Sequence, residues 1–464
     1  MDPLLLSKIA EFAEGTLSSG NSEQSISRIS TDSRTIQPGE LFVPLRGENF
    51  DGHRFVEQVA AKGAAGAIVE EAWAGKTAEN FALIRVDDTL IAYQKIAAAY
   101  RRSLPLKVVA ITGSNGKTST KDFVAAVLAR RFRVTKTEGN FNNHVGLPRT
   151  ILEASTQDEI AVWEMGMNHP GEIAALAAIA APDVAIITNV GVAHIEFMGS
   201  REAIALEKGS LAEAIGPHGT VILNGDDSFT ESIAKRTSAR TMIAGIHAGT
   251  VRADDIRQSA EGCEFTISER AHRCRTQLPV PGLHMVQNAL LAVAAGRVFG
   301  LILEECAAGL GSAPLTKARL QIKMIRGVQF LDDSYNANPD SMKAALRTLV
   351  ELETEGRRVA VLGQMSELGA ESERGHREVG ETAASLQIDE LITVGELGGS
   401  IAQAAQDAGL ENVVALETAG EASEHLCATA HAGDLILVKG SRSAQMERVL
   451  EEFAKQDYEE AISR

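Results

Sequence analysis

The stretch LKVVAITGSNGKTSTKDFVAAVL, residues 106–128, determines how the rest of the chain is interpreted. It begins with a short apolar run that predicts a buried strand, and it ends with apolar residues spaced as on one face of a helix. Between them lie Gly113 and Gly116, followed by Lys117 and Thr118. A turn between a strand and a helix N-terminus favours an anion, because free N–H groups and the helix dipole point at it. The stretch therefore predicts a phosphate-binding loop.

This predicted loop is shorter than a standard Walker A loop, which places four residues between its first glycine and the Gly-Lys-Ser/Thr ending. Here only two residues separate the two glycines. The lysine can neutralise phosphate charge, and either hydroxyl residue after it can hold Mg²⁺. The alternative is an ordinary strand-to-helix turn with a capping threonine, which the Gly-Lys-Thr-Ser order makes the poorer explanation. The predicted loop residues are Gly113, Ser114, Asn115, Gly116, Lys117, Thr118 and Ser119.

The composition of the chain bounds its class. A length of 464 residues predicts roughly two to four domains, and 44% hydrophobic with 23% charged residues is typical of globular proteins. A net charge of −17 disfavours a general nucleic-acid binder, although it leaves room for a small anionic ligand. The four cysteines show no metal-ligand spacing, so we expect buried free thiols in a reducing compartment. They are Cys263, Cys274, Cys306 and Cys427.

No segment has the pattern of a signal peptide or of a membrane helix. The opening residues, MDPLLLSKIAEFAEG, lack a basic region followed by a long apolar core. The longest apolar region, residues 173–195, is interrupted by Pro182 and Asp183, whereas a membrane helix needs roughly 20 continuous apolar residues. We therefore expect no membrane insertion and a cytoplasmic location.

Strand and helix patterns alternate along most of the chain, which predicts an α/β fold with parallel sheets. A helical stretch ends before Pro105, and a further alternating unit begins near Arg319. We therefore predict three domains. Residues 1–105 would form a small N-terminal α/β domain, residues 106–318 a central P-loop-type parallel-sheet ATPase domain, and residues 319–464 a C-terminal Rossmann-like domain.

Polar side chains recur at the ends of the predicted central strands. Glu164 ends the strand in EIAVWEMG, and His194 follows the strand in DVAIITNVG. The carboxyl ends of parallel strands are where α/β sheets bind ligands, so these residues and Thr118 are candidate Mg²⁺ ligands. Each alone is more often a capping or core residue. A dense polar group that suits a hydrogen-bonding pocket, or else a capped solvent-facing loop, comprises Asn140, Asn142, Asn143 and His144.

Several motifs together resemble the Mur ligase family, whose members are ATP-dependent amide ligases of peptidoglycan synthesis. The segment TGSNGKTS, residues 112–119, fits the short loop of that family at every position. The resemblance spans almost the whole chain. Its other segments are STDSRTIQPGELFVPLRGENFDGHRF (30–55), GNFNNHVGLP (139–148), EMGMNHPGEI (164–173), TNVGVAHIEFMGS (188–200), DDSYNANPDSM (332–342), GQMSELG (363–369) and VKGSRSAQME (438–447).

The last three segments, together with GNFNNHVG, resemble the family member that joins D-alanyl-D-alanine to UDP-N-acetylmuramoyl-tripeptide. The implied reaction consumes ATP, passes through an acyl phosphate and needs Mg²⁺. The implied partners are UDP-muramoyl-tripeptide and D-Ala-D-Ala, with no nucleic acid, and we expect a monomer. The resemblance also implies that the first domain binds the UDP part.

The resemblance implies a role for individual residues. Nucleotide binding would use the loop residues together with Asn288, Arg319, Asp333, Tyr335 and Asn336. Mg²⁺ would be held by Thr118, Glu164, His194 and a carbamylated Lys208, and the catalytic residues would be Lys117, Lys208 and His194. Substrate binding would use Ser33, Arg34, Arg46, Gly47, Asp51, His53, Asn142, Asn143, Asn338, Ser341, Lys439, Ser441 and Arg442, with Phe50 in the same N-terminal segment.

The sequence departs from the family pattern at two positions. Met285 follows His284 where the family usually has His-Asn, so one adenine hydrogen bond would change. Ala318 precedes Arg319 where a glycine is usual, which would stiffen the junction between the central and C-terminal domains.

Three other functions remain open. A ligase that forms the tripeptide lacks support, because no motif for recognising its amino acid is present. A folylpolyglutamate-type ligase is disfavoured by the long uridine-type segment near the N-terminus. A P-loop NTPase switch or kinase is disfavoured because no apolar run ending in Asp, as in a Walker B segment, follows the loop.

Overall fold

The first sheet belongs to an N-terminal unit and has five strands. The computed structural model describes residues 1–47, 49–78 and 80–462. The strand order is Thr16–Ser19, Ala82–Val86, Gly66–Glu70, Leu41–Phe42 and Ile29–Ser30. Two small antiparallel pairs, Leu4–Leu5 with Ser25–Ile26 and Arg46–Gly47 with Phe50–Asp51, flank it. Its helices are Leu6–Phe12, Gly52–Phe55 (a 3₁₀ turn), Val56–Ala61 and Thr89–Ser103.

The central unit is built on a nine-stranded sheet. Its strand order is Val134–Lys136, Ile160–Glu164, Lys107–Thr112, Val184–Ile187, Thr220–Asn224, Arg240–Ala244, Val251–Ser259, Gly262–Glu269 and His272–Leu278. The first seven strands pair in parallel and the last two extend the sheet antiparallel. Its helices are Lys117–Leu128, Gly146–Glu153, Glu172–Ala180, Ile195–Met198, Arg201–Glu213, Thr230–Ala234, Leu283–Val298 and Leu303–Gly311.

The C-terminal unit has a six-stranded sheet. Its strand order is Gln321–Ile325, Val328–Asp333, Leu435–Lys439, Arg358–Gly363, Glu390–Val394 and Val413–Leu416, and only the first strand runs antiparallel to its neighbour. Its helices are Pro339–Glu351, Ser372–Ser385, Gly398–Asp407, Ala419–Thr429 and Glu447–Ile462, with 3₁₀ turns at Gly369–Glu371 and Arg442–Ala444.

The α/β fold with three units is confirmed, and the domain limits at 105 and 318 stay predictions. The strand and the helix predicted around the phosphate loop form at Lys107–Thr112 and Lys117–Leu128. The antiparallel extension of the central sheet is an addition to the predicted parallel sheet. Its strands alternate polar and apolar residues and meet at tight turns without proline, which is a weak local signal.

One apolar core joins the three units. Its buried side chains run from Leu6 through the central sheet to Leu437. The helix Thr89–Ser103 fastens the N-terminal unit to the central one, because Tyr100 Oη donates to the carbonyl of Ala154 at 2.8 Å. No described helix combines the length and the apolar character needed to cross a membrane.

The expectation of four buried thiols is correct for only two of them. Cys263 and Cys306 are buried, and burial raises the pKa of each thiol to about 12. Cys274 and Cys427 are half-buried instead, because they lie at the surface of a hairpin and of a helix.

The segment that leads into the C-terminal unit is held by a buried carboxylate. Asp122, only 1% exposed, accepts hydrogen bonds from the backbone N–H and the hydroxyl of Thr316 at 3.0 and 2.7 Å. Its other oxygen lies 2.6 Å from Lys136 Nζ. Just beyond, Ala318 has φ 58°, a left-handed conformation that glycine adopts without strain. The departure from the family glycine therefore falls where a side chain strains the backbone.

We predict that Asp122→Ala destabilises the junction, because it leaves the buried Lys121 and the half-buried Lys136 without their charge partner and Thr316 without an acceptor. Removing one partner of a buried pair costs about 3 kcal/mol, or roughly 6–12 °C in the melting temperature of a unit of this size. Differential scanning calorimetry measures the change. The control is Glu231→Ala, whose carboxylate pairs with Lys235 in solvent and should leave the transition unmoved. Equal melting temperatures of Asp122→Ala and Glu231→Ala would contradict the role of Asp122 in holding the junction.

Candidate active site

A cleft of about 780 Å³ opens between the central and C-terminal units. One wall consists of the loops that follow the central parallel strands, and the other consists of the loops after Val328–Asp333, Arg358–Gly363 and Leu435–Lys439. Among the described residues, none before Ser114 contributes to the wall. The cleft thus lies at the carboxyl edges of two parallel sheets, where α/β proteins bind ligands.

The phosphate loop needs both of its glycines. Gly113 has φ 152°, and a Cβ there would lie 1.8 Å from Thr188 Oγ1. Gly116 has φ 78°, and a Cβ there would lie 2.4 Å from Asn288 Oδ1. Asn288, predicted to contact the nucleotide, is 4% exposed and lies directly against the loop. In the structure Asn288 therefore packs against the backbone of the phosphate loop.

The neighbouring turn at residues 188–191 holds the loop in place. The N–H groups of Ser114 and Asn115 donate to the carbonyl and the side-chain oxygen of Asn189, at 3.0 and 2.9 Å. Ser114 Oγ in turn accepts from the N–H of Gly191 at 2.8 Å. The N–H groups of the first helical turn, from Lys117 onward, have no partner within the helix and can bind an anion. Sequence analysis missed Asn189, although it lies in the segment TNVGVAHIEFMGS.

Three predicted residues meet beside the loop. Thr118 Oγ1 donates to one oxygen of Glu164 at 2.9 Å, and Asn142 Nδ2 donates to the other at 2.8 Å. Glu164 is only 2% exposed. Lys117 Nζ donates to the carbonyl of Gly113 at 2.8 Å; burial lowers the pKa of this lysine, while the charge of Glu164 acts in the opposite direction. The structure therefore brings together a hydroxyl, a carboxylate and an ammonium group at the loop.

Lys208 lies behind this group in the helix Arg201–Glu213, outside the wall of the cleft. It is 1% exposed, and its Nζ makes no hydrogen bond or ion pair with any residue of the described chain. Burial holds the pKa of Lys208 well below its usual range, and the charge of Lys117 lowers it further. Burial therefore favours the uncharged form of this amine, while the charge of the neighbouring Glu207 acts in the opposite direction.

His194 lines the cleft at the start of the helix Ile195–Met198. Its backbone is left-handed with φ 63°, and its Nδ1 lies 2.6 Å from a carboxylate oxygen of Glu367. Glu367 belongs to the C-terminal unit, so this contact crosses the cleft. The segment GQMSELG is one of those that carry the family resemblance, but the sequence analysis assigned no role to its glutamate, Glu367.

The opposite wall is organised by an internal ion pair. Lys439, 2% exposed, donates to Asp333 at 2.6 Å and to the carbonyl of Asn336 at 2.9 Å. Burial lowers the pKa of Lys439, while Asp333 acts against that change. Asp333 also accepts from the N–H of Leu320 at 3.2 Å, and the guanidinium of Arg319 stacks over Tyr335 at 4.1 Å. The charge of Lys439, which is predicted to face substrate, is thus paired within the protein.

Two residues predicted to bind substrate lie at the start of the helix Pro339–Glu351, and one of them, Asn338, connects the two units. Asn338 caps the helix Pro339–Glu351, because its side chain accepts from the N–H of Ser341 at 3.0 Å while Ser341 Oγ accepts from the N–H of Asn338. Asn338 Nδ2 also donates to Asn115 Oδ1 at 2.8 Å, which ties this cap to the phosphate loop. All three line the cleft.

The remaining predicted residues at the cleft are held by local contacts. The side-chain oxygen of Asn143 accepts from the N–H of Gly146, the first residue of the helix Gly146–Glu153, at 2.8 Å. Ser441 is buried, and the exposed Arg442 pairs with Glu447 at 2.8 Å. Met285 is 3% exposed, and its sulfur accepts a weak hydrogen bond from Asn288 at 3.9 Å, in place of the amide usual in the family.

The six predicted residues of the N-terminal unit lie outside the cleft. They are Ser33, Arg34, Arg46, Gly47, Asp51 and His53. Arg46 lies 3.1 Å from Asp51 and 3.0 Å from Glu70, and Asp51 contacts His53 Nδ1 at 2.7 Å. Hydrogen bonds from the backbone and side chain of His53 outweigh burial and lower the pKa of Asp51. The structure does not bring this group to the phosphate loop.

The fold and this cleft define a three-unit α/β enzyme that binds a nucleotide phosphate. The chain belongs to the Mur ligase family. Its residues 25–103 match the family model described as "Mur ligase family, catalytic domain", residues 111–296 match "Mur ligase middle domain", and residues 318–442 match "Mur ligase, glutamate ligase domain".

Curated relatives and solved structures align with nearly the whole chain. The UDP-N-acetylmuramoyl-tripeptide–D-alanyl-D-alanine ligase of Bacillus subtilis is 41% identical over 450 residues, covering 96% of this chain and 97% of the relative. A crystal structure of MurF from Acinetobacter baumannii superposes with a TM-score of 0.91 at 34% identity, covering 98% of this chain and 99% of that one. MurF ligase from Thermotoga maritima in complex with ADP gives 0.84 at 27% identity, over 93% and 98%.

We predict that Gly116→Ala weakens ADP binding by at least about tenfold, because a left-handed alanine costs about 1–2 kcal/mol and its Cβ would collide with Asn288. Isothermal titration calorimetry with ADP measures the affinity. The matched control is Gly409→Ala, since Gly409 has φ 94° but open space around it. Unchanged ADP affinity in Gly116→Ala would refute the requirement for close packing.

Proposed function

We propose that this chain is an ATP-dependent ligase that joins D-alanyl-D-alanine to UDP-N-acetylmuramoyl-tripeptide during peptidoglycan precursor synthesis in the cytoplasm. The observation that carries the proposal is the 41% identity, over 96% of the chain, to a ligase of that name. The phosphate loop, Glu164 and His194 at one cleft support it, because these groups suit phosphoryl transfer.

A carboxylate does not react directly with an amine, because oxide is a poor leaving group. The terminal carboxylate of the tripeptide attacks the γ-phosphorus of ATP, the bond to ADP breaks, and an acyl phosphate forms. The free amine of D-Ala-D-Ala then attacks the acyl carbon. Inorganic phosphate leaves with the bonding electrons, and the nitrogen loses a proton. Catalysis consists mainly of positioning and charge neutralisation.

The phosphate loop supplies both of these functions. The first-turn N–H groups after Gly116 bind phosphate oxygens along the helix axis, where the dipole favours negative charge. Lys117 is held against the loop by the carbonyl of Gly113, so its ammonium group is already positioned for the transferred phosphoryl group. Asn288 and Asn189 keep the backbone in this conformation.

The donor set beside the loop fits Mg²⁺. Among the described residues no three His, Cys, Asp or Glu side chains form a ready metal cage. Mg²⁺ is usually held by one or two carboxylates together with phosphates and water, and Glu164 and the Thr118 hydroxyl match that pattern. Its chemistry when bound is charge neutralisation on the phosphoryl group. Thr118, Glu164 and His194 would hold it.

Carbamylation of Lys208 would complete this site. A lysine amine reacts with CO₂ only when it is uncharged, and burial favours that state at Lys208. The carbamate is an anion, so it would replace an unpartnered amine with a group that attracts a cation. A plain ammonium group would instead repel both Mg²⁺ and Lys117.

The substrate is long enough to use both groups of predicted residues. We assign its UDP part to the N-terminal residues, including Arg34, Arg46 and His53. The peptide end reaches the cleft, where Asn142, Asn143, Ser441 and Arg442 line the wall. One substrate would therefore span the N-terminal unit and the cleft. We expect a monomer to suffice, because each unit of one chain supplies a part.

An omission assay tests the function. Phosphate release should require ATP, UDP-muramoyl-tripeptide and D-Ala-D-Ala together, and Lys117→Ala should lower it more than about 10²-fold by removing a charge used in the transition state. Mass spectrometry identifies the pentapeptide product, and circular dichroism checks that the variant is folded. Release without an amine acceptor would favour an NTPase switch, and normal turnover of Lys117→Ala would sink the assignment.

A second prediction concerns Lys208. Enzyme prepared in ¹³C-bicarbonate should show a carbamate carbon signal by NMR, and Lys208→Ala should lose that signal and about 10- to 100-fold in activity. Lys235→Ala, which removes an exposed lysine, should retain both. A carbamate signal that persists in Lys208→Ala would place the modification elsewhere.

A further inference from the structure

Glu367 reaches across the cleft to a residue of the central unit. Its carboxylate lies 2.6 Å from His194 Nδ1, and His194 side-chain exposure is only 21%. Both residues have left-handed backbones, with φ 61° for Glu367 and 63° for His194. Two non-glycine residues in this conformation, facing each other across a cleft, are costly unless the surrounding structure fixes them.

The loop that carries Glu367 is fixed at both ends. Before Glu367, the N–H of Met365 donates to Nε2 of the buried His376 at 2.9 Å, and His376 Nδ1 donates to the carbonyl of Ser372 at 2.7 Å. After it, a Cβ at Gly369 would lie 2.9 Å from Cγ of Glu196. Glu196 belongs to the short helix that His194 begins. The loop is therefore pressed against the element that presents the histidine.

The contact has a chemical consequence for His194. A carboxylate 2.6 Å from Nδ1 attracts a proton to that nitrogen, which would leave the lone pair of Nε2 available. Such partners orient metal-binding histidines, and their loss usually weakens metal binding or activity about 10- to 100-fold. His194 has a predicted metal role, whereas Glu367 has none assigned.

We propose that Glu367 is a positioning residue for the magnesium site, which rests on the function proposed above. Because Glu367 lies on the C-terminal unit and His194 on the central unit, the histidine is oriented only when the two units are docked. Asn115 and Asn338 meet across the same cleft, so docking joins the phosphate loop and the metal site in one step. An undocked enzyme would bind nucleotide at the loop with an unoriented His194.

The test measures Mn²⁺ binding to the full chain with ADP present, using electron paramagnetic resonance of the free ion. Glu367→Asn should weaken Mn²⁺ binding about tenfold, because asparagine tolerates the left-handed backbone but is too short to reach His194. Glu367→Gln should stay within about threefold of the wild type, because its side-chain oxygen can occupy the same place beside Nδ1. Affinity for ADP in the presence of a chelator should be equal in all three proteins.

The same measurement in a His194→Ala background separates positioning from a general structural effect. There Glu367→Asn should cause no further loss, and Glu396→Ala, an exposed carboxylate of the same unit, should bind Mn²⁺ as the wild type does. Equal Mn²⁺ affinity of Glu367→Asn and wild type would overturn the proposal, as would an equal loss with and without His194. Failure of the wild type itself to bind Mn²⁺ with ADP would instead overturn the magnesium site.

Discussion

The site depends on the close packing of the phosphate loop against two neighbours. Gly113 lies against Thr188, and Gly116 lies against Asn288, at separations that leave no room for a side chain. Both glycines also have positive φ angles, so the backbone conformation and the lack of space each require glycine at these positions. This packing directs the first-turn N–H groups into the cleft and fixes where Lys117 and Thr118 begin their helix. The candidate Mg²⁺ ligand Glu164 is bound to that point through the Thr118 hydroxyl.

Charges around the loop are arranged so that few of them meet solvent. Glu164 accepts hydrogen bonds from Thr118 and Asn142, and the charge of Lys439 is neutralised by Asp333. Lys208 is the exception, since it is buried with no partner among the described residues. Burying an unpaired charge is costly, so burial favours the neutral form of this side chain. That exception is what makes its role in the proposed mechanism physically reasonable.

The closed arrangement of the central and C-terminal units depends on a few polar contacts over a shared apolar core. Asn115 with Asn338, His194 with Glu367, and Asp122 with Thr316 connect different units or their junction. Polar contacts at a cleft can be exchanged for water at small net cost, whereas apolar packing cannot. The geometry therefore suits an enzyme in which one unit closes over bound substrates.

The sequence by itself determined the three α/β units, the phosphate loop and the strand-end residues Glu164 and His194. These follow from local patterns, because hydrophobic periodicity and glycine spacing act over a few residues. It could not reveal the antiparallel extension of the central sheet, Asn189 beneath the loop, or the internal pairing of Lys439. Only tertiary structure decided these, and also the His194–Glu367 contact, which joins residues 173 positions apart. Such contacts depend on how units dock, and local patterns carry no information about docking.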